Sequence, residues 1–248
     1  MKIGVVGLGR VGSVVAADLV RAGNSVVGAD RDAKILERFS RGLASYREEG
    51  VSELIATGHF EGRTTVVPHV REIDAEAIFV CVSTTGGLDE KLDMSDIATA
   101  AREIGHAVRN RGQRQSPVQI VICSTLIPGT MREMVLPELI RSVGVPPGLD
   151  YEISYWPEFG REGSALSDRS SPSRFVIGER VPGTAILLRQ WLANRPAPVF
   201  YTSFEVAELV KRILWPSGSV WRTSRAAGLA HHSTFSSIFS MSSSERPK

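Results

Sequence analysis

The sequence predicts a doubly wound α/β fold, a parallel sheet with helices on both faces, on three observations. Short apolar runs alternate with amphipathic stretches as far as residue 211. The first apolar run ends in a glycine-rich turn that opens a helical pattern. The runs at 77–82 (A-I-F-V-C-V) and 118–123 (V-Q-I-V-I-C) are almost wholly apolar, as strands covered on both faces must be.

The elements follow in order. Residues 2–7 form the first strand, and residues 11–22 carry apolar positions at helical spacing that stop at Gly23. A second strand is expected at 25–29 and a second helix at 33–41, ending before Gly42. Residues 53–57 suit a short helix and 64–67 a weak third strand. Strand four is 77–82. A helix at 95–110 takes Ser95 as its N-cap, with Asp96 in its first turn. Strand five is 118–123, followed by a helix from about 130 to 142. Short strands at 152–155 and 174–177, a helix at 183–193, a strand at 199–201 and a helix from 203 complete the pattern.

Composition narrows the function. The 248 residues are 42% hydrophobic and 23% charged, which is ordinary for a globular chain. A net charge of only +2 gives no bulk argument for nucleic acid or a membrane surface. The two cysteines lie inside apolar runs and read as core thiols, so neither a disulfide framework nor a cysteine-rich metal site is expected. The five histidines show no metal-ligand spacing, and no metal is assigned. No apolar run is long enough to span a bilayer and no basic leader precedes the first strand, so a soluble cytoplasmic protein is expected.

Gly7-Leu8-Gly9-Arg10-Val11-Gly12 is G-x-G-x-x-G between a strand and a helix, the context in which this pattern binds a dinucleotide. Gly7 permits the tight turn, Gly9 lets a pyrophosphate approach the backbone, and Gly12 lets helix and strand pack closely. The helix N-terminus then offers free N–H groups and a positive dipole end. Asp30, closing the second strand, suits the two hydroxyls of an adenosine ribose and repels a 2′-phosphate, which favours NAD over NADP. Arg31 beside it would serve a 2′-phosphate instead. A surface turn and the glycine loop of a methyltransferase are the competing readings.

Four later segments carry a family resemblance: Ser124-Thr125-Leu126-Ile127-Pro128-Gly129-Thr130, Pro157-Glu158-Phe159-Gly160-Arg161-Glu162-Gly163, Arg174-Phe175-Val176-Ile177-Gly178, and Glu205-Val206-Ala207-Glu208-Leu209-Val210-Lys211. With the fingerprint they make residues 1–211 resemble the nucleotide-sugar 6-dehydrogenases, the UDP-glucose/GDP-mannose dehydrogenase family. The S-T-x-x-P-G-T form leans slightly to the GDP-mannose side. The resemblance implies a Rossmann-type domain over 1–202, the start of an interdomain helix at 203–214, NAD as cofactor, a nucleotide-sugar substrate and a homodimer. It implies two hydride transfers from a sugar CH₂OH, with a cysteine thiolate holding the aldehyde as a thiohemiacetal and then a thioester that water cleaves.

The same resemblance assigns residues. Gly7, Gly9, Val11 and Gly12 border the cofactor diphosphate, with Asp30 and Lys34 at its adenosine end. Thr84 touches the cofactor, and Thr125 positions water and cofactor. Glu158 is the acid/base of thioester hydrolysis, Glu162 borders cofactor and substrate, and Lys211 steadies oxyanions at the sugar C6. Phe159 and Arg161 join Glu158, Glu162 and Lys211 as substrate contacts. On residue type alone, Thr84 and Thr125 would equally cap the following helices, Glu158 would be a solvated loop acid and Lys211 a surface lysine. A β-hydroxyacid dehydrogenase shares the early pattern but gives the P-E-F-x-R-E frame no role.

Departures from the family are also legible. Arg10 stands where an aromatic is expected, Trp156 replaces a small or amide residue, and Gly160 replaces a leucine. From Arg212 onward the text changes: ten serines, Trp215 and Trp221, a helix-breaking Pro216 and a net charge of +4 against −2 before it. Residues 215–248 are expected to be a disordered, frame-shifted or degenerate tail, with no G-G-x-C segment to supply the thiol. The apolar face of 204–214 is expected to be exposed. A catalytically incomplete NAD-binding remnant is therefore the alternative function.

Overall fold

The computed structural model describes residues 1–84, 92–111, 116–161, 163–195 and 197–214. Met1–Leu214 forms one compact unit. The strands are β1 (Lys2–Val6), β2 (Ser25–Ala29), β3 (Thr64–Val66), β4 (Ala77–Val80), β5 (Val118–Ile122), β6 (Tyr151–Tyr155), β7 (Phe175–Glu179) and β8 (Val199–Ser203). The helices are α1 (Arg10–Arg21), α2 (Ala33–Ser40), α3 (Val51–Phe60), α4 (Ser95–Asn110), α5 (Leu136–Val143), α6 (Ala165–Ser170), α7 (Ile186–Leu192) and α8 (Phe204–Leu214).

One sheet runs β3-β2-β1-β4-β5-β6-β7-β8. The first six strands in that order are parallel, so the expected doubly wound fold is what forms. The sheet departs from the parallel arrangement at one seam. There β7 meets β6 antiparallel, through Ser154↔Glu179 and Tyr155↔Gly178, while β7 and β8 pair parallel. Such an edge exception is common on α/β sheets.

The core forms where apolar strands meet apolar helix faces. Ile3, Val5 and Phe79 of the central strands pack with Val14, Val15 and Leu19 of α1. Several local expectations shift. Side-chain capping of α4 comes from Asp93, whose Oδ1 accepts from Ser95 N at 2.9 Å, and not from the Ser95 hydroxyl. The helix after β5 opens as a wide π turn, Met131–Val135, before α5. The third helix is longer than expected, and α6 was not expected at all. Its start is capped by a distant residue, Glu48, whose carboxylate accepts from Gly163 N and Ala165 N at 3.1 and 2.9 Å.

The last helix has two faces. Phe204, Ala207 and Val210 are buried against the sheet, while Val206, Leu209 and Ile213 are exposed, so only part of the apolar surface expected to be open is open. The sequence break from residue 215 onward, and the tail expected there, lie outside the described residues.

Candidate active site

Parallel strands gather the candidate residues before any side chain is considered. Gly7 follows β1, Asp30 follows β2, Thr84 lies past β4, Thr125 past β5 and Glu158 past β6. All five leave carboxyl ends of strands running the same way, so they share one edge of the sheet, where such folds bind ligands. Helix α8 begins beside the end of β7 and runs back along β6 and β7, returning Lys211 to that edge.

At the glycine turn each glycine has a separate steric reason. Gly7 has φ +85°, and a Cβ there would meet Cys81 O at 2.8 Å. A Cβ on Gly12 would sit 1.7 Å from Gly7 O, so β1 and α1 approach this closely only without a side chain. A Cβ on Gly9 would meet nothing within 4 Å. The turn's own packing leaves Gly9 free, and no side chain caps α1. An unfilled space before an uncapped helix N-terminus fits the pyrophosphate of a dinucleotide.

Asp30 holds this turn from below. Its Oδ2 accepts from Leu8 N at 2.6 Å and its Oδ1 from Asp32 N at 2.9 Å. Asp32 in turn caps α2 through Lys34 N at 2.8 Å, and the Lys34 side chain is exposed. Arg31, the residue that would serve a 2′-phosphate, pairs with Asp96 at 2.5 Å. Val11 is half-buried at the turn. Arg10 stands without the aromatic expected at its own position, yet its guanidinium lies 5.3 Å from the ring of Tyr46, an aromatic supplied by another loop.

Thr84 is buried and Thr125 half-buried. Among the described residues neither caps a helix: Asp93 serves α4, and no side chain caps the turn after β5 at its N-cap residue, Thr130. That turn is instead fixed by Glu208 of α8, whose carboxylate accepts from Gly129 N at 2.7 Å and Met131 N at 2.8 Å. Burial raises the Glu208 carboxyl above the ordinary range, and the two N–H groups pull it back. Glu208 lies in the family-like segment 205–211, with no role expected of it from sequence. A carboxylate on the apolar side of a helical pattern was the available signal.

Around Glu158 the predicted residues converge. Glu158 Oε1 accepts from Phe159 N at 3.1 Å and Gly160 N at 3.0 Å, and its Oε2 takes Arg169 Nη1 at 2.5 Å. Its side chain is 12% exposed, which removes the solvated-loop reading. The Lys211 ammonium donates to the Glu158 carbonyl and lies 5.1 Å from the centre of the Phe159 ring. Lys211 is 4% exposed, so it is not a surface lysine. Burial pushes its amine down to about 8, and Glu158 opposes that shift. Arg161 turns away to Asp168, with Nε and Nη2 at 3.0 and 2.8 Å, and holds that carboxyl down to about 2. Glu162 lies outside the described residues.

The comparisons with known proteins bear on this arrangement. The family model of the UDP-glucose/GDP-mannose dehydrogenase family, NAD binding domain, matches residues 1–193. The chain belongs to this family. It thereby carries the family's NAD-binding domain, and the methyltransferase and β-hydroxyacid dehydrogenase readings fall away. GDP-mannose 6-dehydrogenase of Pseudomonas aeruginosa is 33% identical over 213 residues, covering 85% of this chain and 48% of the relative. UDP-glucose 6-dehydrogenase AglM of Haloferax volcanii is 28% identical, covering 85% and 50%. Among solved structures, a ternary complex of GDP-mannose dehydrogenase from Pseudomonas aeruginosa superposes with a TM-score of 0.82 at 31% identity, over 91% of this chain and 51% of that one. A UDP-glucose dehydrogenase from Pyrobaculum islandicum gives 0.77 at 31% identity, over 86% and 48%. The chain spans about half the length of the curated relatives it matches.

Proposed function

We propose that this chain is the cofactor-binding half of a nucleotide-sugar 6-dehydrogenase that oxidises the C6 hydroxymethyl of GDP-mannose or UDP-glucose. The observation that carries the reading is the meeting of Lys211, Glu158 and Phe159 on the sheet edge that also bears the glycine turn. Gly7, Gly9, Val11 and Gly12 hold the diphosphate of NAD, Asp30 and Lys34 its adenosine end, and Thr84 its nicotinamide side. Bound there, NAD supplies the hydride acceptor.

The chain's own groups do the rest. Lys211, buried and close to neutral pH in its titration, steadies negative charge on the sugar's C6 oxygen. Glu158 accepts and returns a proton on the attacking water. Thr125 orients that water. Phe159, Arg161 and Glu162 border the sugar. The slight lean of S-T-x-x-P-G-T makes GDP-mannose the first substrate to try.

Purified chain is mixed with NAD and each nucleotide sugar in turn while NADH absorbance is followed, and calorimetry measures NAD binding alone. NAD binding with NADH formation from one sugar, abolished in Lys211→Ala, is expected. No NADH from either sugar, with NAD binding intact, overturns the dehydrogenase reading of this chain and favours the NAD-binding remnant. Cys81 and Cys123 are both buried, so neither offers an accessible thiol to the thioester step within these residues.

A further inference from the structure

Arg169, which pairs with Glu158, also meets Asp18 and Trp156, and none of these three has an assigned role. Arg169, on α6, is 2% exposed at its side chain, a burial that a lone cation tolerates only when paired. Its Nη1 reaches Glu158 Oε2 at 2.5 Å and its Nε reaches Asp18 Oδ2, on α1, at 3.1 Å. Its guanidinium lies 4.3 Å from the centre of the Trp156 ring. Trp156 is held in turn by Phe79 and Phe175, at 6.3 and 5.8 Å between ring centres. Asp18 also takes Arg21.

We propose that Arg169 is a positioning residue, bracing the Glu158 carboxylate against Asp18 of α1 so that it presents one orientation at the sheet edge. The inference rests on the reading of Glu158 as the acid/base group. An ionised carboxylate has about four acceptor positions. Phe159 N and Gly160 N occupy Oε1, and Arg169 occupies one position on Oε2. Roughly one acceptor position therefore stays open to water. The planar guanidinium suits the task, because it cannot swivel between Asp18 and Glu158 once stacked beneath an indole.

Stability alone does not explain the arrangement. Arg169 Nη2 is buried without a hydrogen-bond partner among the described residues. A buried ion pair with one unanswered donor is often no better for stability than an apolar residue of the same volume. What the ion pair adds is direction. It refers Glu158 to the helix whose N-terminus bears the glycine turn, so the acid/base group and the cofactor site share one rigid element. Trp156, a departure from the family, acquires a purpose as the plate on which the guanidinium rests.

The test reads the Phe159 and Gly160 amides by ¹H–¹⁵N spectroscopy and hydrogen exchange in the whole 248-residue chain. Arg169→Met keeps the stem and its packing but removes the charge and donors. Both amide signals are expected to move and to exchange about tenfold faster, the scale of one lost hydrogen bond. Arg169→Lys should restore part of the effect, and Asp18→Asn should shift the same amides in the same direction by less. A folded Arg169→Met whose two amides keep their positions and exchange rates overturns the proposal. Should that variant not fold, unchanged amides in Asp18→Asn overturn it instead. The readout needs neither NAD nor sugar, so failure to form NADH sinks the acid/base reading of Glu158 without deciding the brace.

Discussion

Two glycines in one turn should separate folding from cofactor binding. A methyl group on Gly9 meets nothing within 4 Å, and the backbone there, at φ −66°, is open to any residue. Gly9→Ala gives up only the preference for glycine over alanine at an N-cap, at most about 1 kcal/mol, or about 2–4 °C in Tm for a chain of this size. The same methyl group fills the space read as the pyrophosphate site, so NAD affinity should fall by at least about tenfold, the loss of one or more charge-assisted hydrogen bonds. Gly12→Ala behaves differently. Its methyl carbon would stand 1.7 Å from Gly7 O, inside any van der Waals contact, so α1 must move off β1. Overpacking of that kind costs about 1–3 kcal/mol or more, a fall of about 2–12 °C in Tm. Circular dichroism melts and titration calorimetry with NAD read both effects. A Gly9→Ala variant that binds NAD like the wild type, or a Gly12→Ala variant that melts like it, refutes the assignment of these two roles.

Much of the fold was legible because the sheet is parallel. Strands such as β4 and β5, buried on both faces, read as plain apolar runs, and the helices between them repeat at 3.6 residues. The antiparallel entry of β7 was not legible, since Phe175–Glu179 has the same apolar character whichever way it runs. The short α6 was hidden because its cap, Glu48, comes from more than a hundred residues away. At the site, the glycine turn and Asp30 are local signals and were read as such. The surroundings of Lys211 and Glu158 were carried only by family motifs. Burial of a lysine or a loop acid is set by distant chain, here by α8 returning to β6. The Asp18–Arg169–Trp156 brace joins three separate elements and leaves no periodic trace in the sequence.

The remaining predictions concern charge and thiols. Asp30→Ala deprives Leu8 N of an acceptor at 2.6 Å and removes the carboxylate proposed to take the ribose, so calorimetry should show NAD weakened by about 1–3 kcal/mol; unchanged affinity would place the adenosine end elsewhere. The Lys211 amine titrates at about 8 in the fold against an ordinary 10.5, so the unfolded chain binds that proton more tightly. Stability should therefore rise from about pH 8 to about pH 10.5, by up to about 3 kcal/mol relative to Lys211→Met in urea unfolding, and equal pH slopes for the two proteins would show the amine to be solvated. The thiols set how far any oxidation can proceed. Cys81 and Cys123 continue the paired strands β4 and β5 and are both buried. Their mutual hydrogen bond, together with burial, pushes the Cys81 thiol well above its ordinary value, so it stays a thiol at neutral pH. A buried thiol cannot reach a sugar aldehyde. An aromatic disulfide reagent should accordingly leave both cysteines unmodified in the native chain, and Cys81→Ser and Cys123→Ser should bind NAD as the wild type does. Any NADH formed by this 248-residue chain should stop at the aldehyde, one hydride per sugar. Two NADH per sugar, reduced to one by Cys123→Ser, would show that a core thiol reaches the substrate and that its burial does not govern the chemistry.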